Sequence, residues 1–552
     1  MGHRQRQQAM LAALQGDGEP AGMPQQSALA TLLVQEWAWG NISTPMLQKV
    51  AEAACADGAR HPHLDKLSAI GSHGRHPGNT HRDLLRLLKA PIVPAALTDW
   101  NVWMKLPFMK TAQMSQKFVL PHALFSHIYS HDFGLFEQVF LGGNQDRLVE
   151  FWSQVGTTKH YESSHIVTRP DHKTRCIPLG LHGDGVTVTG VGRSWGKQAD
   201  VYSWTSLLAA GPSKMVIFLI WACYQQNLSV ADDKNTMDEF WAMLVWSLKA
   251  LERGMWPTHD HNGVEISGGP AGSLAGGYYG TMWCLKGDLD YFAKCLHLEN
   301  ANSNTPCMLC QCNKTDTPWT AVNPDTAEWI TTMWSEDDWQ ASHPAVASIF
   351  DLPGVGFSCI CPDWMHTKHL GVDQYFYGSV LMLLTHEVDG GRLMAGRPDQ
   401  NLATLWEDMK KAPGTFGDLR LSMFVPSAEH FPVLKGRAAE IRNFGTPLLA
   451  AWEKYMSPRN QLHRQIRLAL TASVELERIL DRNTDRFVLP ADEAVLFRKH
   501  CFDLAALLSA LGHHYHSRGV FLFHFTVKTH YFNALWFVLH RAQPPCGLVL
   551  LR

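Results

Sequence analysis

Apolar residues recur at helical spacing near the start of the chain. Leu29, Leu32, Leu33 and Trp37 form one such stripe and Leu84, Leu85, Leu87 and Leu88 another, with the loop Gly71–Asn79 between them. Phe118, Leu120, Leu124, Phe125 and Ile128, then Leu135, Phe136, Val139 and Phe140, continue the pattern through 107–155. These stripes predict a helical N-terminal region over 28–170, after a Gly-, Pro- and Gln-rich tail at 1–27. The period changes near residue 174. Cys176–Leu181 is a short apolar run that leads into the alternating VTVT, and Val201–Leu208 and Met215–Tyr224 are also strand-like. Asn235–Arg253 is helical, with Met237, Phe240, Trp241, Leu244, Leu248 and Leu251 on one broad face. The Gly-rich loop Gly268–Gly277 then precedes a further strand, Tyr278–Lys286.

Strand, strand, strand, helix, strand is the order of the first half of an RNase H-like fold. It predicts a mixed α/β core at 174–295. Residues 296–350 lack long periodic runs and hold the first cysteine cluster, within a Cys- and His-containing insertion at 296–375. Beyond them, 376–552 reads as a helical region, with long amphipathic helices at Leu462–Leu480 and Ala491–Leu511. No repeat at a fixed period is present.

Composition narrows the function classes. Of 552 residues, 45% are hydrophobic and 18% charged, which suits a packed core and excludes a mostly disordered chain. The net charge of −3 excludes a strongly cationic DNA coat, so nucleic-acid contact needs a local patch. Arg437, Arg442, Arg464 and Arg467 are the candidates for it. The longest central apolar run, Met215–Tyr224, is far short of the roughly 20 residues that span a bilayer, so no membrane helix is expected. Twelve cysteines are too sparse for a disulfide scaffold. Their clustering at Cys307, Cys310 and Cys312, and at Cys359 and Cys361, favours reduced thiols in a nuclear or cytoplasmic setting.

Four features carry chemistry. Asp184 lies between glycines at the end of an apolar strand, where a ligand can approach the backbone. The plainer reading is a turn aspartate. Asp288 follows the next predicted strand after a second Gly-Asp step. Carboxylates at the ends of neighbouring strands can share Mg²⁺ or Mn²⁺, whereas a lone Asp there caps a helix. Cys307 and Cys310 form a C-x₂-C half-site for tetrahedral Zn²⁺, with no second C-x₂-C in the chain. The partners must therefore include histidine, from His366/His369, His513/His516 or His524/His530; buried thiols or redox chemistry are the alternatives. Asp363 and His366, three apart, share one helical face, or are an N-cap and a surface histidine.

This series resembles the CACTA-type (En/Spm, Plavaka-like) DDE transposases: Gly-Asp-Gly after a first strand, Gly-Asp after a fourth, a C-x₂-C about twenty residues on, then Asp-x-x-His before Leu-Gly-Val. The likeness spans 174–375 and touches 515–536, where Lys528-Thr529-His530-Tyr531 resembles the family's late Lys-x-His-Tyr segment. It implies an RNase H-like catalytic core in which Asp184 and Asp288 hold Mg²⁺ or Mn²⁺. It also implies a long insertion braced by structural Zn²⁺ on Cys307, Cys310 and His530, and DNA as partner; a homo-oligomer is compatible with it, and no residue specifies the oligomeric state. Asp363 and His366 match a family motif without an assigned role. Two features depart from the family. Ala534 and Leu535 stand where a second late histidine is expected, and Tyr531–Arg552 contains no Asp or Glu to serve as the third carboxylate. Glu475 and Glu477 are upstream substitutes, out of family order. The expectation is a chain cut short of that carboxylate: a transposase-derived protein whose ancestral DNA strand cleavage and transfer is weak or lost. The alternative is a non-catalytic, zinc-stabilised DNA-binding or scaffold protein.

Overall fold

Four short helices open the described chain: α1 (Ala28–Ala38), α2 (Thr44–Ala56), α3 (Pro62–His73) and α4 (Thr80–Leu87). Ser43 caps α2 by accepting from the Met46 amide, which satisfies one of the donors a helix start leaves open. Ala30, Leu33, Leu47, Leu67 and Leu84 close a small apolar core of their own. The computed structural model describes residues 27–38, 42–88, 97–106, 110–156, 158–189, 197–231, 233–344, 346–410, 416–425 and 430–541. The expected tail, apart from residue 27, and the apolar ending at 544–552 lie outside the described residues.

The N-terminal region is not all helical. Strands β1 (Leu97–Lys105) and β2 (Thr111–Val119) form an antiparallel hairpin. Val102, Met104 and Phe118 are its buried side chains. The helical reading ran Phe118 together with Leu124 and Ile128. Pro121 separates them: it occupies the first turn of α5 (Pro121–His131), where its missing N–H costs nothing, so a helix begins there. Helices α6 (Phe133–Phe140) and α7 (Asp146–Val155) follow.

The central sheet has five strands: β3 (Cys176–Thr189), β4 (Lys197–Ser206), β5 (Phe218–Tyr224), β6 (Tyr279–Gly287) and β7 (Ile360–Pro362). Their order across the sheet is β5-β4-β3-β6-β7. The pairs β3–β4 and β4–β5 are antiparallel, and β3–β6 and β6–β7 are parallel. Helix α8 (Thr236–Arg253) makes the crossover from β5 to β6, and Asn235 caps it through the Met237 amide. Every residue of β6 is buried, as a strand inside a parallel pairing must be. The hairpin docks on α8, where the Trp103 amide donates to Glu239 Oε2 at 2.9 Å. The core is therefore mixed α/β, as the sequence pattern predicts.

After β6 come α9 (Leu289–Cys295) and a long irregular stretch that leads to β7. A π-helical segment, Met365–Asp373, runs directly into α10 (Gln374–Thr385). The longer helices that follow are α11 (Pro398–Met409), α12 (Ala438–Tyr455), α13 (Gln461–Arg482), α14 (Ala491–His516) and α15 (Val527–Arg541). The two long amphipathic helices expected from the sequence are α13 and α14. None of the described helices is long and apolar enough to cross a membrane.

Candidate metal centres

Asp184 does not end its strand, as its flanking glycines suggest. Strand β3 runs on through it to Thr189, and Asp184 pairs with Val201 of β4. What ends there is β6: the parallel pairing stops at Gly183–Gly287, so Asp184 and Asp288 leave the last shared rung side by side. The ring of Tyr291, on α9, covers both glycines. A Cβ added at Gly183 would lie 2.0 Å from Tyr291 Cε2, and one at Gly287 would lie 2.2 Å from Cδ1. The repeated Gly-Asp step is thus a packing requirement for one aromatic ring.

Asp184, Asp288 and His366 each offer a ligand atom, and the three atoms lie within 4.8 Å of one another. Such spacing suits oxygens and a nitrogen around one cation, or around two about 4 Å apart. Asp288 also caps α9, its Oδ1 accepting from the Tyr291 amide at 2.7 Å, so the plainer reading of this residue holds as well. Asp363 is fixed at the end of β7, where its amide donates to Gly287 O at 2.9 Å. Its Oδ2 lies 2.7 Å from His366 Nδ1, an orienting contact that sets the imidazole's tautomer.

The charges in this group are under tension. Burial raises the Asp184 carboxyl above its ordinary value; the carboxylate of Asp288 adds to this and His366 opposes it. Burial penalises Asp363 too, but the hydrogen bond and charge of His366 outweigh it and hold that carboxyl below the usual range. Burial pushes His182, two residues before Asp184, down to about 4, and Lys286 adds to the shift.

A second cluster brings Cys307, Cys310, Cys312 and His530 together, all four buried and with their ligand atoms within 4.8 Å of one another. His530 Nε2 lies 3.4 Å from Cys310 Sγ and 3.5 Å from Cys312 Sγ. Zn–S and Zn–N bonds of about 2.3 and 2.05 Å at the tetrahedral angle predict about 3.6 Å for this edge. His530 Nδ1 is 3.2 Å from Trp319 O, which leaves Nε2 for an ion. Tyr531 Oη donates to Pro306 O at 3.0 Å and accepts from the Met308 amide at 2.9 Å, stapling the thiol loop to α15. Burial opposes ionising Cys307, yet the neighbouring thiols and His530 hold it well below its ordinary value. Cys310 is pushed up by burial and by its place beside that thiolate. A buried cage that favours one thiolate and resists the next is short of positive charge.

Cys312, grouped with Cys307 and Cys310 by the clustering of cysteines, is the candidate ligand that the C-x₂-C reading left out. It belongs to no C-x₂-C pair, and its role shows only when α15 returns to the loop. It takes the corner for which a second late histidine was expected. Other candidates lie elsewhere. His513 hydrogen-bonds to Ser509 O on the exposed side of α14. Cys359 donates to Gly354 O at 3.3 Å. His369 faces Glu477, 2.9 Å away.

Neither upstream glutamate joins the Asp184 group. Glu475 pairs with Arg478 on the exposed side of α13. Glu477 sits in a buried network with Lys368 Nζ at 3.1 Å, His369, and Arg442 Nε at 2.8 Å. Lys368 is fully buried and also reaches Asp373 at 2.6 Å and Ser473 at 3.0 Å. The back of the π-helical segment is thereby fixed to α13 while His366, at its start, joins the two aspartates. The expected arginine patch is largely neutralised: Arg437 pairs with Glu440, Arg442 with Glu477 and Asp481, and Arg467 with Glu453.

The chain matches no family model and no curated protein.

Proposed function

We propose that this protein is a transposase-derived, RNase H-like protein that engages DNA phosphodiesters at the Asp184–Asp288–His366 cluster. The observation that carries the reading is the meeting of Asp184 and Asp288 just past the last shared rung of two parallel strands. The antiparallel trio followed by a crossover helix and a parallel strand is the arrangement expected of such a core. The thiol cage, assembled from a loop after β6 and a helix more than 200 residues later, supports the same resemblance.

In this reading Asp184 and Asp288 hold Mg²⁺ or Mn²⁺, which would offset the charge on the phosphate oxygens. His366, oriented by Asp363, is the third group beside the two aspartates. The thiol cage holds structural Zn²⁺ and fixes the irregular stretch between β6 and β7 against α15. A second reading rests on a specific observation: among the described residues, no third acidic side chain joins the two aspartates and His366 within 4.8 Å. That favours a protein that binds DNA without cutting it.

Strand cleavage of duplex DNA in Mg²⁺ or Mn²⁺ decides between them. Cleavage by the wild type that is lost in Asp184→Ala and weakened in His366→Ala establishes the catalytic reading. Salt-sensitive binding without cleavage establishes the second. Absence of both removes DNA as the partner.

A further inference from the structure

Helix α15 reaches both clusters with side chains two residues apart. His530 enters the thiol cage, 3.4 Å from Cys310 Sγ. Lys528 runs instead along the π-helical segment that carries His366. Its stem crosses Gly371, where an added Cβ would lie 2.9 Å from Lys528 Cδ and 3.1 Å from its Cβ. Its Nζ makes one long contact, 3.4 Å, to Leu370 O.

Lys528 is half-buried; burial lowers its ammonium below the ordinary lysine value, and the carboxylates of Asp288 and Asp363 act against that lowering. Among the described residues no carboxylate lies within ion-pair distance of its Nζ. The side chain is therefore held beside the acidic cluster without being used up by it. A lysine in this position is a compact point charge on a flexible stem, suited to an oxyanion that approaches the same carboxylates. A phosphodiester nearing Asp184 and Asp288 meets repulsion, and a cation on the adjoining wall offsets it.

We propose that Lys528 holds a non-bridging phosphate oxygen at the Asp184–Asp288 cluster, and that filling of the Cys307–Cys310–Cys312–His530 cage sets its place. The proposal rests on the DNA reading above and adds two things to it: a named phosphate contact and a link between the two centres. The link is geometric. Tyr531 and His530 tie the first turn of α15 to the thiol loop, and Lys528 is in that same turn.

The test is equilibrium binding of a short DNA duplex in Ca²⁺ over a range of salt concentrations. It compares wild type, Lys528→Ala, Lys528→Arg and Cys312→Ser. Loss of one charged contact predicts roughly ten-fold weaker binding for Lys528→Ala and a salt slope shallower by about 0.9. Lys528→Arg restores most of both. Cys312→Ser weakens binding to the Lys528→Ala level, and the double variant binds no more weakly than either single one. Acylation of Lys528, followed by mass spectrometry, reads the link without DNA: the rate rises several-fold in Cys312→Ser. Wild-type affinity and slope in Lys528→Ala would overturn the phosphate contact alone, leaving the DNA reading standing. Additive losses in the double variant, or equal acylation rates, would overturn the link. A wild-type protein with no salt-dependent binding would overturn the DNA reading and the contact with it.

Discussion

Gly183 and Gly287 face each other on neighbouring parallel strands, and one tyrosine ring lies across both. The two aspartates that follow are adjacent because nothing larger than hydrogen fits beneath Tyr291. Gly183→Ala is expected to cost about 1–3 kcal/mol, the usual range for overpacking. It should also weaken Mn²⁺ binding by moving Asp184 away from Asp288. Urea unfolding and Mn²⁺ titration by electron paramagnetic resonance measure the two effects. Unchanged values for both would show that the ring yields freely.

The thiol cage predicts one zinc per chain. Cys307→Ser, Cys310→Ser, Cys312→Ser and His530→Ala should each lose it on purification, with stability lower by roughly several kcal/mol, because metal-binding energy here is folding energy. Metal analysis by mass spectrometry gives the stoichiometry. A Cys312→Ser protein with its zinc intact would place the third thiol outside the coordination shell.

Lys368 has no water to fall back on. Replacing it with methionine leaves Asp373 and Glu477 facing each other in a buried site, and should destabilise the chain by about 3–5 kcal/mol. Glu477→Gln should cost less, since Asp373 still pairs with Lys368. Chemical denaturation of the two variants orders them, and the reverse order would refute the assignment of Lys368 as the hub.

Two buried histidines make stability depend on pH. Burial pushes His122 and His160 down to about 4 from an ordinary 6.5. The unfolded chain therefore binds more protons between these values, so stability rises with pH across the window. Their contribution is complete above about pH 6.5 and is lost as pH falls toward 4. It amounts to about 3 kcal/mol for each residue. His122→Gln, which keeps a partner for Ser247 Oγ, 2.8 Å from the ring, should flatten the profile by the share of one of the three histidines held near 4, His122, His160 and His182. An unchanged slope in urea titrations between pH 7 and pH 4.5 would exclude His122 as a contributor.

How much of this was legible depended on whether the signal was local. Helices α13 and α14 announce themselves through long amphipathic stripes. The C-x₂-C pair is legible because two thiols that share an ion sit one turn apart. Cys312 is not, since its partner is a histidine on another element. The β1–β2 hairpin is hidden because β2 buries Phe118 while most of its other side chains face outward, leaving too few apolar positions for a period of two. Glu477 invites a catalytic reading on sequence, but which way a glutamate faces on a helix depends on what packs there, and here that is Lys368, His369 and Arg442. The Gly-Asp repeat could be seen in the sequence, and its cause could not, because Tyr291 is the only clue and it looks like any core aromatic.

The separation of 218 residues between Cys312 and His530 has a consequence for biosynthesis. At roughly 5–20 residues per second, the ribosome delivers the three thiols about 10–45 s before their histidine. During that interval the loop is a three-thiol site with an open corner, exposed to oxidants and to copper, which binds soft ligands more tightly than zinc does. The centre therefore closes only once α15 has been made, and any stall between the two segments leaves its three thiols without their fourth partner.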